Sequence, residues 1–276
     1  MKQIIKSFDN ESDQLKWIHE NRNKIRSQRK SISKNSDSVS FISFAINERG
    51  ETLKSEEISA DATKLRVRVI INTTNLYDSH GDVHINNIWK KSLSESKVFY
   101  LVNQHMFNYE GILSDEVKAS AKMYAWKDLG YDYEGETQAL VFDTVLDLES
   151  PYFQDSPANK KIFNLYKAGK IRNHSVQMRY VKDFICMDSE DYPEEKKNWD
   201  KYYPMVANKD DVGKYFFAVT EAKIIEGSAV PRGSNSATPT ESVQEVKNIE
   251  AEAITSKNEP TINVTQTSKQ NLFIKI

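Results

Sequence analysis

Apolar and polar positions alternate from Lys64 onward: Leu65, Val67, Val69 and Ile71 are interleaved with Arg66, Arg68, Ile70 and Asn72. That period of two predicts a half-buried strand and places the start of a folded body near it. Apolar runs at 98–102, 139–146, 176–186 and 215–225 predict further strands, separated by turn-rich or charged stretches. Helical spacing of Ile162, Leu165 and Tyr166 predicts a helix over 156–168, with Gly169 as its stop. Residues 11–34 predict a basic helix. Its apolar stripe is Leu15, Ile18, Ile25 and Ile32, with Lys16, Arg22, Lys24, Arg26, Arg29 and Lys30 around it. A serine-rich break follows at 33–40. After Arg232 the periodicity ends, and 233–276, rich in Ser, Thr, Asn, Lys and Glu, predicts a flexible polar tail.

Many strands with few helices predict an α+β fold built on a mainly antiparallel, barrel-like sheet, since closure removes exposed edges. The expected organisation is a basic helical extension and linker at 1–60, a folded domain at 61–235 and a tail at 236–276. A charged, aromatic insertion at 183–213 interrupts the domain and reads as a lid, a partner surface or a long loop.

Composition changes this picture little. The chain has 276 residues, 38% hydrophobic, with a net charge of −2. The mean hydropathy of −0.65 fits a domain carrying solvated extensions. One cysteine, Cys186, excludes an internal disulfide or a cysteine-based metal site and fits a reducing compartment. The opening Met1-Lys2-Gln3-Ile4-Ile5 turns polar at once, and no window approaches the roughly 18 apolar residues of a membrane span. A cytoplasmic protein without cofactor or metal is expected.

Three segments place a reactive residue where a strand meets a different environment. Residues 98–105 end in Asn103-Gln104-His105. A histidine there suits a general base, because its ordinary pKa lies near neutrality, and equally suits a ring satisfied by a backbone partner. Strand alternation across 173–180 sends His174, Val176, Met178 and Tyr180 to one face. Asn173, Ser175, Gln177 and Arg179 take the other. Ser175 therefore lies on the polar face, as a nucleophilic or an ordinary surface serine would, whereas His174 points away from it. Arg179, four residues on and about 13 Å away along the strand, suits a substrate carboxylate. Residues 222–235 run from a strand into a small-residue loop, and Glu226 there suits the acid that orients an imidazole. His19, on the basic helix, has less claim to chemistry.

Four segments in order resemble blocks of the capsid-maturation (prohead) serine proteases of tailed phages, a family related in fold to the herpesvirus assemblins. Asp78-Ser79-His80-Gly81-Asp82-Val83 before Ile88-Trp89-Lys90-Lys91-Ser92-Leu93 resembles the opening turn and short helix. Residues 101–105 with Gly111-Ile112-Leu113 resemble the histidine block, 168–180 the serine block, and 222–235 the closing block of an acid followed by Ser-x-Val-Pro. The resemblance spans 64–238. It implies an assemblin-like fold, His105 as base, Ser175 as nucleophile and Glu226 as third member, with His84 the alternative because assemblins use a second histidine. The family usually carries a glycine shortly after the serine, where this chain has Gln177.

By that resemblance the chain is a serine endopeptidase in the host cytoplasm. It self-associates inside the procapsid and cuts scaffolding and major capsid protein, its own extensions included. The alternative is an inactive homologue serving as a structural or scaffold-like capsid component. A third reading is nucleic-acid binding through Arg22, Arg26 and Arg29, set against a solvated helix that docks weakly on the body. No membrane partner is expected.

Overall fold

The structure, a computed structural model, describes residues 8, 10–31 and 58–246. Nine strands form two sheets: β1 (Lys64–Thr73), β2 (Asp82–His84), β3 (Leu101–Asn103), β4 (Ile112–Ser114), β5 (Lys118–Ala125), β6 (Glu136–Asp147), β7 (Asn173–Met187), β8 (Tyr215–Val230) and β9 (Thr240–Glu245). The helices are α1 (Glu11–Glu20), α2 (Arg22–Ser31), α3 (Lys90–Glu95), α4 (Pro151–Gln154), α5 (Pro157–Lys167) and α6 (Pro193–Tyr202). One sheet runs β5-β6-β1-β9, all antiparallel. In the other, β8 pairs with antiparallel β7 on one side and, on the other, with parallel β2 and then parallel β3, beyond which lies β4.

The fold is thus α+β and mostly antiparallel, but the expected barrel does not close. The two sheets share no ladder among the described residues. They bury their apolar faces against each other instead, which answers the same need to remove apolar surface from water. Leu65, Val67, Val69 and Ile71 of β1 line this core with Phe142 of β6, Met178 of β7 and Ile224 of β8. The sheets come close at Gly227. A Cβ there would lie 2.6 Å from the Phe142 ring and 2.9 Å from Ile71 Cδ1.

Local signals explain the flanks. Ser156 caps α5 by accepting from the Asn159 N–H, and Pro157 occupies its first position. Gly169, at φ 63°, turns the chain out, and Lys170 N–H closes onto Leu165 O at 2.8 Å. The helix packs Phe163 and Tyr166 into the main core.

Three sequence expectations change. The basic extension is two helices rather than one, broken at Asn21, whose side chain donates to Trp17 O. It is also docked: Leu15 and Ile18 pack with Ile185, Met187 and Phe217. Arg26 and Arg29 reach the fully buried carboxylates of Asp183 and Asp82. Ile32 and the serine-rich break lie outside the described residues. Second, the 183–213 insertion starts later than expected, the excursion from the sheet falling between Met187 and Tyr215. Residues 183–187 continue the β7–β8 ladder, and α6 packs Trp199 and Tyr202 onto Cys186, Phe216 and Val83. Third, the tail begins later than expected. Asn235, Ala237 and Thr238 are buried, and β9 pairs with β1 from Leu65 to Val69. The rest of the expected tail, 247–276, lies outside the described residues. No described helix is long and apolar enough to cross a membrane.

Candidate functional site

The β7–β8 ladder carries two faces. Opposite pairs share a face, so the core side holds His174↔Ala229, Val176↔Gly227 and Met178↔Ile224. The other side holds Ser175↔Ser228 and Gln177↔Glu226. Alternation alone would keep Ile224 and Glu226 on one side of β8. A register shift between Gln177 and Met178 leaves Ile225 as the extra residue, and that bulge turns Glu226 onto the face of Ser175. Gly227, between Glu226 and Ser228, supplies the missing side chain that lets the core side approach Phe142.

His105 reaches this face by a turn. Strand β3 pairs Val102 with Ser228 and Asn103 with Ala229, then ends. Gln104 (φ 48°) and His105 (φ 58°) are both left-handed, an uncommon pair for residues with a Cβ. Gln104 N–H donates to Ala229 O at 3.0 Å, and His105 N–H donates to Ser228 Oγ at 2.8 Å. The chain then folds back until the Met106 backbone lies against Gly111, where a Cβ would sit 2.1 Å from Met106 O. The glycine downstream of the histidine thus has a physical role: it lets the turn close.

The imidazole lands on the carboxylate. His105 Nδ1 and Glu226 Oε1 are 2.6 Å apart, with the side chains 9% and 0% exposed. Burial pushes the Glu226 carboxyl above its ordinary value, and the bond to His105 opposes the shift. With Glu226 ionised, Nδ1 carries the proton and Nε2 is left as an acceptor. His105 Nε2 and Glu226 Oε2 are both buried without a hydrogen-bond partner among the described residues. Ser175, 4% exposed, stands opposite Ser228 on the same face. Its hydroxyl makes no hydrogen bond among the described residues, to His105 or otherwise.

The other candidates lie elsewhere. His174 is enclosed, bonded to Tyr166 Oη at 2.8 Å and Thr238 O at 3.1 Å, and burial lowers its pKa to about 4. His19 meets Glu195 at 3.0 Å and stacks on Tyr192. Arg179 is exposed, on the Ser175 face and opposite Lys223. His84, the alternative third member, bonds Asn72 and Tyr180 rather than His105. It belongs with Asp78 and Asp82, and one donor atom from each of the three lies within 4.8 Å of the others. Those donors could face a cation, yet Arg29 and the Tyr180 hydroxyl already take the two Asp82 oxygens. The Arg29 guanidinium lies 3.6 Å over the Phe217 ring. Burial pulls its pKa below the ordinary value, opposed by Tyr180, Asp183 and Asp78. The cluster is therefore a buried ion-pair network that anchors the N-terminal helices.

Sequence reasoning brought forward Ser175, His105 and Glu226 but gave Ser228 no role beyond its place in the closing Ser-x-Val-Pro block. The signal was available, since a residue two after Glu226 on a strand shares its face. The arrangement can hold an imidazole by a carboxylate with its second nitrogen free, beside a serine on the same strand face. The chain matches no family model, and neither a curated protein nor a solved structure matches it.

Proposed function

We propose that the protein is a serine endopeptidase with Ser175 as nucleophile, His105 as general base and Glu226 as the acid that orients and stabilises it. The observation that carries this reading is the 2.6 Å His105–Glu226 contact on the strand face that also bears Ser175. Nε2 takes the Ser175 proton as Oγ attacks a peptide carbonyl. Glu226 stabilises the resulting imidazolium, the imidazolium protonates the leaving amine, and water releases the acyl-enzyme.

The four ordered segments support a place in phage procapsid maturation, with scaffolding and major capsid protein as substrates and self-association within the procapsid. The resemblance to the prohead proteases and their assemblin-like fold belongs to this proposal. One observation favours the second reading, an inactive homologue that serves capsid assembly structurally. The Ser175 hydroxyl is nearly enclosed and is not hydrogen-bonded to His105. Co-expression with the capsid and scaffolding proteins separates the two. Processing by wild type and none by Ser175→Ala is expected; identical processing patterns refute the peptidase.

A further inference from the structure

We infer that Ser228 is a positioning residue for His105: its buried hydroxyl holds the backbone turn that sets the imidazole on Glu226. This rests on His105 as the base of the proposed reaction and adds a residue that never touches substrate.

Along β3 the ladder to β8 is supplied by backbone: Gly227 N–H donates to Tyr100 O at 2.9 Å, and Gln104 N–H donates to Ala229 O at 3.0 Å. One residue later the chain leaves the sheet in a second consecutive left-handed conformation, and no backbone carbonyl meets the His105 N–H. The acceptor is Ser228 Oγ at 2.8 Å, on a side chain that is fully buried. The same hydroxyl can donate to Val102 O at 3.3 Å or to Ala229 O at 3.5 Å. Ser228 thus bridges the last regular residues of β3 and the histidine, and the part-buried His105 N–H left without it would lose its partner.

Position matters as much as bonding. Ser228 lies two residues from Glu226 on the same strand face, so one short segment of β8 holds both the His105 backbone and the His105 ring. Two such contacts fix an imidazole that a strained turn alone would leave free to swing. Ser228 cannot serve as a second nucleophile, because its oxygen is enclosed and already engaged.

The test compares Ser228→Thr with Ser228→Val, which share a shape and differ in the hydroxyl. Histidine-labelled protein is observed by NMR for the His105 Nδ1 proton bonded to Glu226, and Ser175 is titrated with a fluorophosphonate. The Nδ1 signal should persist in Thr and be lost or exchange-broadened in Val. Labelling by Val should be roughly tenfold slower than by Thr at pH 7, with its pH midpoint displaced; tenfold corresponds to about 1.4 kcal/mol. Equal signals and rates in the two variants overturn the assignment. A wild-type protein that shows the Nδ1 proton, loses it in Val and never reacts with the probe supports Ser228 while the peptidase reading fails. Should a variant not fold, wild-type hydrogen exchange decides: a slowly exchanging His105 amide supports the clamp, and one exchanging at the rate of the exposed Tyr109 amide overturns it.

Discussion

Replacing Gly227 by alanine probes the contact between the two sheets at the point where it also sets the site. The added Cβ would lie 2.6 and 2.9 Å from Phe142 ring atoms and 2.9 Å from Ile71 Cδ1, and both side chains are fully buried. Neither can swing into solvent, so the strain is borne by a packed interior, where overpacking costs about 1–3 kcal/mol. Contacts this short argue for the upper part of that range. Alanine recovers roughly 0.5–1 kcal/mol through reduced chain entropy, which leaves a net loss near 2 kcal/mol. Phe142→Leu withdraws the ring edge and costs stability by itself, so Gly227→Ala/Phe142→Leu should be more stable than the sum of the singles by about 1 kcal/mol or more. Urea denaturation of the four proteins measures the coupling. Additivity within about 0.5 kcal/mol would show that Gly227 is not what lets the sheets meet, and the geometry around Glu226 and Ser228 would need another cause.

Three further outcomes follow from the same contacts. Arg29→Ala removes the guanidinium from the fully buried Asp82 carboxylate and should cost about 3–5 kcal/mol, partly restored by adding Asp82→Asn; denaturation curves and protease nicking of α1–α2 report it. His174, whose pKa is lowered to about 4, stays neutral in the fold while the unfolded chain takes a proton near pH 6.5. Stability should therefore be unaffected above pH 7 and fall as pH drops from about 6.5 toward 4. The loss approaches ~1.4 kcal/mol per unit and about 3 kcal/mol in all, and His174→Asn should flatten the slope in urea denaturation. Gly111→Ala must displace the Met106 backbone together with its Cβ rather than the far end of a side chain, so its melting temperature should fall further than that of Gly227→Ala.

What the sequence made legible was local. The alternation of β1 is written in Leu65 to Val69, beyond which Ile70 to Thr73 are buried on both faces, and the same rule put Ser175 and His174 on opposite faces, where they are found. The cap and stop of α5 were likewise readable from Ser156 and Gly169. The remainder depends on partners distant in the chain. Strand β9 contributes one apolar core residue, Val243, so Thr240–Glu245 reads as polar tail until β1 supplies its hydrogen bonds. Arg29 looked like part of a solvated face because Asp82 stands 53 residues away. Alternation would have sent His105 to the core side with Leu101 and Asn103. Two left-handed residues and the Ser228 hydroxyl turn it to Glu226 instead, and neither device has a period to detect.

The proposed chemistry requires Ser175 and His105 to form a working pair. Reaction of the folded protein with a fluorophosphonate, followed by peptide mapping by mass spectrometry, tests this most directly. A single adduct on Ser175 that is lost in His105→Ala, and slowed in Glu226→Gln, is the predicted result. A folded protein that forms no adduct, or forms one with equal yield in Ser175→Ala, contradicts it.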